Sequence, residues 1–232
     1  MLHLEPDFWG YAEQVNEDPT KIPAAVASAN PTDCKSLPNT VAGMGACLVA
    51  MTRTYAPNTK LGLHASSWGT KVDVLLNTDT SLDVAAYGKR NGVFLNAVAP
   101  TADFIVVDAG DRDAGFYKTQ GRQAFWDDTN KNLPNFKQAF AWAAALSASA
   151  GKPVFWWQVP VGNMSLPNVT NRWQDNRLDY FFAHQGEVAA TGAFAFVFGA
   201  GAEGQTTFES DGGNAVAKIK AYRTAGGRAP CP

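Results

Sequence analysis

A fivefold alternation of strand and helix patterns constrains the fold of this chain more than any other feature. Short apolar runs predict five strands, at Leu2–Glu5, Lys60–His64, Asp103–Asp108, Pro153–Gln158 and Ala193–Phe198. Apolar residues at three-to-four spacing predict five helices, at Thr40–Tyr55, Ser81–Ala97, Leu133–Ala150, Asn176–Ala190 and Gly213–Thr224. Continuous apolar runs are typical of parallel strands that are buried on both faces. The alternation therefore predicts right-handed βαβ units and a parallel sheet.

The predicted fold class is α/β, with five parallel βα units in a barrel-like arrangement. Five units are fewer than the eight of a closed (β/α) barrel. The chain is then either the C-terminal five units of a barrel whose first three are missing, or a complete open α/β sheet. We favour the partial TIM barrel because the strand ends carry the chemistry of a barrel mouth. Residues 1–232 are expected to form one catalytic domain, which could be truncated at its N-terminus.

Composition and charge narrow the classes of partner. Hydrophobic residues make up 46% of the chain, which is enough to bury a sizeable core. The formal net charge of -2 favours neither nucleic acid nor an anionic membrane as a partner. The apolar stretches are too short to span a bilayer, and no secretory signal is visible because the first residues already form a strand pattern.

The three cysteines do not indicate a metal site. Cys34, Cys47 and Cys231 form no CxxC pair and have no histidine at zinc-ligand spacing. A disulfide between Cys34 and Cys47 could form, but spacing alone leaves the pairing of the three open. No metal and no cofactor are expected.

Polar, aromatic and glycine-rich residues follow every predicted strand, while the strand bodies are apolar. Ligands of parallel α/β folds bind beyond the carboxyl ends of the strands, so this clustering predicts a site there. The residues are Glu5, Asp7, Trp9 and Tyr11, then His64, Ser66, Ser67 and Trp68, then Asp108, Asp111, Arg112 and Asp113, then Trp157, Gln158 and Asn163, and finally the loop Gly199–Gly204. That loop lacks the Lys and Ser/Thr of a P-loop.

Two strand-end carboxylates are the candidate catalytic residues. Glu5 could act as a general acid, because an aromatic-lined pocket raises the pKa of a carboxyl group. Asp108 could supply the second carboxyl group that glycoside hydrolysis needs. Asp7 either contributes to substrate binding or caps a short helix that follows it.

The other candidate binding residues have structural alternatives. Asp111 could bind substrate, or Asp111 and Asp113 could pair with Arg112 in a structured loop. His64 could hydrogen-bond a sugar hydroxyl or could be a satisfied core residue. We place Gln158 and Asn163 with the substrate-binding residues.

Tryptophan offers a flat apolar face on which a sugar ring can stack. Trp9, Trp68 and Trp157 are the candidates, and the alternative for each is an ordinary place in the core. Trp156 and Trp157 are adjacent in a strand, so they must face opposite sides of the sheet.

These motifs resemble glycoside hydrolases of the TIM-barrel type, especially cellulases. The residues that show the resemblance are Leu4-Glu5-Pro6-Asp7, Phe155-Trp156-Trp157-Gln158 and the Asp108 strand end. A Glu-Pro-Asp strand end also occurs in family 6 cellulases. It implies a secreted or extracellular enzyme that cleaves a β-linked polysaccharide, such as cellulose or a β-glucan, by carboxylate acid/base chemistry.

One departure from the family pattern concerns the nucleophile. In the large retaining clan, a Glu at the end of strand four is the acid/base and a Glu at the end of strand seven is the nucleophile. Glu5 would match the first position, whereas the second is occupied by Gln158, which cannot be a carboxylate nucleophile. Either Asp108 replaces it, or the site binds sugar without cleaving it.

Two further expectations concern metals and self-association. The third functional alternative is a metal-dependent hydrolase that uses Glu5, Asp7, His64 and Asp108. Five βα units would leave the edges of the sheet uncovered, so a homodimer through those edges is expected.

Overall fold

The predicted α/β class is confirmed by the structure, a computed structural model that describes residues 1–199 and 201–227. Five parallel strands alternate with helices and lie in the order in which they occur in the chain, the arrangement of a partial barrel. The strands are β1 (Leu2–Leu4), β2 (Leu61–Ala65), β3 (Phe104–Asp108), β4 (Val154–Val159) and β5 (Ala193–Phe198). The helices are α1 (Phe8–Val15), α2 (Val41–Tyr55), α3 (Val84–Val98), α4 (Ala114–Thr119), α5 (Phe136–Ala150), α6 (Arg177–Ala183), α7 (Gln185–Ala190) and α8 (Asn214–Thr224).

The helix predictions differ from the structure in two ways. The predicted helix Asn176–Ala190 is two helices, because His184 leaves the helical conformation between α6 and α7. The His184 ring stacks on Tyr180 and its Nδ1 lies 2.7 Å from a carboxylate oxygen of Glu187, which holds the break. The short helices α1 and α4 and a 3₁₀ turn at Pro19–Lys21 lie in stretches where no helix boundaries were predicted.

The described residues form two compact units, and each is considered by itself. The first unit comprises residues 1–74, 83–107 and 142–154. Its strands pair in parallel, with Leu2 opposite Leu61 and Leu63 opposite Ile105. The expectation of a single domain over residues 1–232 stays a prediction.

A disulfide joins Cys34 to Cys47 in the first unit, with 5.5 Å between their Cα atoms. It links the loop that precedes α2 to α2 itself, and the two cysteines pack with Val26 in a small apolar cluster. This is one of the pairings that the sequence left open. Cys231 lies outside the described residues.

The second unit comprises residues 75–82, 108–141 and 155 onward. Aromatic side chains fill its core. Trp156 of β4 is fully buried and packs edge-on against Phe140 of α5 and Phe181 of α6. Trp156 is therefore the one of the two adjacent tryptophans whose side chain packs against the helices.

Across residues 1–199 and 201–227, none of the helices combines the length and the apolar character that crossing a membrane requires.

Candidate functional site

Glu5 leaves the end of β1 in an unusual backbone conformation. Its φ is 46°, in the left-handed region that residues other than glycine rarely adopt. The residue is exposed. Strained, non-glycine backbone of this kind is concentrated at functional sites, where the surrounding structure holds it. The candidate general acid is therefore accessible and its direction is set by the backbone.

Asp7 occupies the position before α1, but its side chain makes no capping hydrogen bond. The structural alternative for Asp7, a helix cap, is thus not realised. Its exposed carboxyl group remains a candidate for substrate binding.

Trp9 is a core residue, and the expectation that it stacks on sugar is wrong. It is only 1% exposed, and its indole N–H donates to the Leu4 carbonyl at 3.1 Å. The first turn of α1 directs position 9 inward, so Trp9 anchors the helix beneath the end of β1.

Tyr11 and Trp68 form an aromatic pair at the surface of the first unit. Tyr11 is 62% exposed, and its ring centroid lies 4.7 Å from that of Trp68, which is partly buried. Gly10 makes the pairing possible, because a Cβ there would lie 2.6 Å from the Cβ of Ser66 and 2.9 Å from the Trp68 ring. Gln14 holds the same loop by donating to the Trp68 carbonyl at 3.1 Å.

The aromatic residue of α1 that pairs with Trp68 at the surface is thus Tyr11 and not Trp9. The helical periodicity of α1 could have separated these two positions, since residues two apart in a helix point in different directions. The sequence of Phe8–Val15 does not clearly predict a helix, because it contains aromatic residues and a glycine, which are weak helix formers.

His64 is buried against another histidine. It is 3% exposed, and its Nδ1 lies 3.1 Å from Nε2 of His3, whose ring stacks on it. Burial, and then the neighbouring His3, lowers the pKa of His64 to about 3, while burial lowers that of His3 to about 4. Both rings are neutral at physiological pH. His64 is therefore the satisfied core residue that was its alternative interpretation, and not part of the exposed site.

Asp108 ends β3 in the second unit and is partly buried. Its Oδ1 accepts the Gly110 backbone N–H at 2.8 Å. This bond positions the carboxyl group at the start of the loop that follows the strand. A role for Asp108 as the second carboxyl group stays a prediction.

Asp111 pairs with residues of its own loop. Its carboxylate accepts the Tyr117 hydroxyl at 2.7 Å and lies 3.9 Å from the Arg112 guanidinium. Burial, followed by the effect of Asp111, raises the pKa of Tyr117 to about 12. The structural alternative, pairing with Arg112, is thus found for Asp111, although its side chain is exposed enough to meet a ligand as well.

Asp113 differs from that alternative, because it is fully buried and its side chain is hydrogen-bonded by the loop after β5. Its Oδ2 accepts both the backbone N–H and the hydroxyl of Thr206, at 2.8 and 2.9 Å. Its own N–H donates to the Gln205 side chain at 2.8 Å. Burial, reinforced by the nearby Asp175, raises the pKa of Asp113 to about 7.

A buried ion pair continues this network. Arg177 lies 2.9 Å from Asp175, and both side chains are almost completely buried. The Arg177 guanidinium lies 4.8 Å from the centroid of the Trp126 ring, and Asp175 also accepts the Ala114 N–H. The loops that follow β3, β4 and β5 are therefore joined by buried polar contacts. Sequence reasoning missed this network because its members are far apart in the chain.

Gln158 also has left-handed backbone, with φ 52°. Gly201 fits closely against it, because a Cβ at Gly201 would lie 2.5 Å from the Gln158 Nε2. The Gly201 N–H donates to the Asp111 carbonyl at 3.1 Å. The glycine-rich loop thus approaches Gln158 closely at Gly201, and Ala200 lies outside the described residues.

The structure places Trp157 and Asn163, two candidate binding residues, in different surroundings. Trp157 is partly buried, and its carbonyl accepts the Ala109 N–H at 3.0 Å. Asn163 uses both ends of its amide within the protein, since its oxygen accepts the Ser165 N–H and its nitrogen donates to the Asp211 carbonyl. These bonds make Asn163 a turn-forming residue, and its binding role stays a prediction.

A cavity of about 350 Å³ lies among the loops of the second unit that follow β4 and β5. Its lining includes a carboxylate, two buried polar residues and an exposed aromatic ring, from Glu203, Gln205, Thr206 and Phe208. Glu203 is a further carboxylate that sequence reasoning did not single out. Glu203 lies in the glycine-rich loop after the fifth strand, and this position is the sequence feature that could have identified it.

The metal alternative receives no geometric support. In residues 1–199 and 201–227, no three His, Cys, Asp or Glu side chains lie close enough together to hold a metal ion. Glu5, Asp7, His64 and Asp108 therefore do not supply such a group.

No known protein-family model, no curated protein and no solved structure matches this chain.

Proposed function

We propose that this protein is a glycoside hydrolase that cleaves a β-linked polysaccharide, such as cellulose or a β-glucan. The observation that carries the proposal is the end of β1 in the first unit. There the exposed Glu5 is held in left-handed backbone, and the helix that follows carries the exposed Tyr11, which pairs with the partly buried Trp68. A carboxyl group and an aromatic surface are the two features that hydrolysis and sugar stacking require.

Each residue has a defined role in this proposal. Glu5 is the general acid that protonates the leaving oxygen, and Asp108 is the base or nucleophile. Tyr11 and Trp68 stack on sugar rings, and Trp157 contributes to binding. The two-carboxylate chemistry needs neither metal nor cofactor.

The disulfide supports an extracellular location for such an enzyme. Disulfides persist in oxidising compartments and are rare in the cytosol of most organisms. The Cys34–Cys47 bond is buried, which protects it from exchange. We therefore propose that the protein is secreted.

Substitution of the acid tests the proposal. Glu5→Gln keeps the size of the side chain but removes the transferable proton, so turnover on cellulose or β-glucan should fall by about 10²–10⁴-fold while sugar binding changes little. Reducing-sugar release by purified protein is the measurement. Glu209→Gln, at an exposed position of the loop after β5, is the matched control and should retain activity. Unchanged turnover of Glu5→Gln would show that the acid is misassigned.

A second candidate function is sugar binding without cleavage. Gln158 favours it, because an amide occupies the position where the retaining enzymes that these motifs resemble carry their nucleophile. Asp108→Asn separates the two functions. A large loss of turnover makes Asp108 the second carboxyl group, whereas a protein that binds oligosaccharide and releases no sugar from any polysaccharide is the non-catalytic form.

A further inference from the structure

A second polar cavity, of about 280 Å³, lies in the first unit. It is formed by the last residues of α1 and by the loop that follows Trp68, so it adjoins the Tyr11–Trp68 pair along both segments. Tyr11 and Gln14 are three residues apart and lie on neighbouring parts of the same helix face. The cavity is slightly smaller than a typical drug-sized pocket and has room for one sugar ring.

Glu13 is the buried acid of this cavity. It is 8% exposed, and its Oε2 accepts the side-chain N–H of Asn91 at 2.7 Å. Asn91 is in turn oriented by the indole N–H of Trp142, at 2.9 Å. Gly69 leaves space for the carboxyl group, because a Cβ there would lie 2.7 Å from Oε2. The other oxygen, Oε1, makes no hydrogen bond to the described residues and is available to a ligand.

Thr70 is the independent observation that points to a ligand. It lines the same cavity and is 7% exposed, yet its hydroxyl has no hydrogen-bond partner in the part of the chain that the structure describes. Burying a hydroxyl without a hydrogen-bond partner is unfavourable, so such groups are rare unless something else satisfies them.

The lining carries both signs of charge and both kinds of hydrogen-bonding group. Arg90 lies 3.5 Å from Glu17, so these two charges offset each other at the rim. Lys71 is exposed there as well. Burial raises the pKa of Glu13 to about 7, so near neutral pH its carboxyl group can either donate or accept. A mixed lining of this kind is complementary to an uncharged ligand with several hydroxyl groups.

We propose that this cavity is a subsite for one neutral sugar unit, which hydrogen-bonds Glu13 Oε1 and the Thr70 hydroxyl while an adjoining unit stacks on Tyr11 and Trp68. The inference rests on the proposed function, because it takes carbohydrate as the ligand. A sugar hydroxyl donates one hydrogen bond and accepts others, so it can satisfy both groups at once.

Thr70→Val tests the subsite, because valine keeps the shape and replaces only the hydroxyl with a methyl group. Binding of cellotetraose and laminaritetraose to the full chain is measured by calorimetry, together with the amide NMR shifts of residues 69–71. If the unaltered protein cleaves the probes, the Glu5→Gln background is used for both members of the comparison. We expect Thr70→Val to bind about two- to tenfold more weakly, the value of one hydrogen bond, and to unfold no more easily than its parent.

Thr52→Val is the matched control. The Thr52 hydroxyl is also buried but donates to the Leu48 carbonyl at 2.8 Å within α2, so its loss should lower stability and leave binding unchanged. Equal binding by Thr70→Val and its parent overturns the subsite and leaves the proposed function standing. Failure of the unaltered protein to bind either probe overturns both. Binding that weakens in Thr70→Val without any hydrolysis by the unaltered protein supports the subsite and overturns the catalytic proposal.

Discussion

The backbone conformation of two strand-end residues could not be predicted from the residues themselves. Glu5 and Gln158 were singled out from their positions, and both have left-handed backbone. Nothing in a glutamate or glutamine predicts that conformation, because it is imposed by surrounding structure. The roles of individual aromatics were equally uncertain, since Trp9 is a core residue and Tyr11 takes the exposed position.

The raised pKa of Glu13 predicts that the free energy of unfolding depends on pH. Its pKa rises on folding from 4.5 to about 7, chiefly through burial. Below pH 4.5 both states hold the proton, whereas between pH 4.5 and about 7 unfolding releases it. Glu13 therefore makes the free energy of unfolding fall as pH rises through that window, by at most about 3 kcal/mol.

Glu13→Gln removes this titration and retains an acceptor for Asn91. We expect the variant to gain stability relative to the unaltered protein between about pH 4 and about pH 8, with the gain complete near the upper value. Urea denaturation at both pH values measures it. Glu203→Gln, an exposed glutamate of the second unit, should follow the unaltered protein. A stability difference between Glu13→Gln and its parent that does not change with pH contradicts the assignment.

At the scale of elements, periodicity predicted the long helices and missed the short ones. α2, α3 and α5 begin within three residues of the expected positions, because each has several turns of periodic apolar residues. The break between α6 and α7 depends on contacts of the His184 ring, which periodicity does not encode.

Helix packing in the first unit depends on glycines of α3. A Cβ at Gly88 would lie 2.2 Å from the Trp142 carbonyl oxygen, and one at Gly92 would lie 2.6 Å from that of Leu146. Both obstacles are backbone atoms of α5, which cannot rotate away. The spacing of four residues places the two glycines on the same face, so together they set how closely α3 and α5 approach.

Gly92→Ala should therefore destabilise the protein, although alanine is intrinsically the better helix former by about 1 kcal/mol. We expect a net loss of about 1–3 kcal/mol from overpacking, measured by chemical denaturation. Val93→Ala is the matched control on the next residue, which is exposed, and should change stability by less than about 1 kcal/mol. A Gly92→Ala protein as stable as its parent would mean that the helices can separate at little cost.

For the whole molecule, the sequence was sufficient for the class of fold but not for the organisation of the site. Strand and helix patterns are local, so alternation predicted a parallel sheet with its elements in order. The network in the second unit joins Asp113 to Thr206 across 93 residues. Contacts over that distance are set by the folded chain and leave no local pattern.

The order of strands in the sheet also supports the prediction that the protein associates with itself. β5 is the last strand in the order, so one of its edges has no neighbouring strand in the described residues. An apolar groove of about 400 Å³ lies beside it, lined by residues that include Phe196, Phe198, Ile219 and Tyr222. An edge strand with apolar neighbours is a template for pairing with a second copy.

Light scattering over a concentration series should therefore detect a dimer or larger species. Val197→Lys places a charge on the exposed face of β5, which natural edge strands use to prevent pairing, so it should shift the protein toward monomer. Val93→Lys adds the same charge on an exposed face of α3 and should leave association unchanged. If Val93→Lys dissociates the protein as strongly as Val197→Lys, net charge rather than the β5 edge controls association. A protein that is monomeric at every concentration would show that the edge does not pair with a second copy.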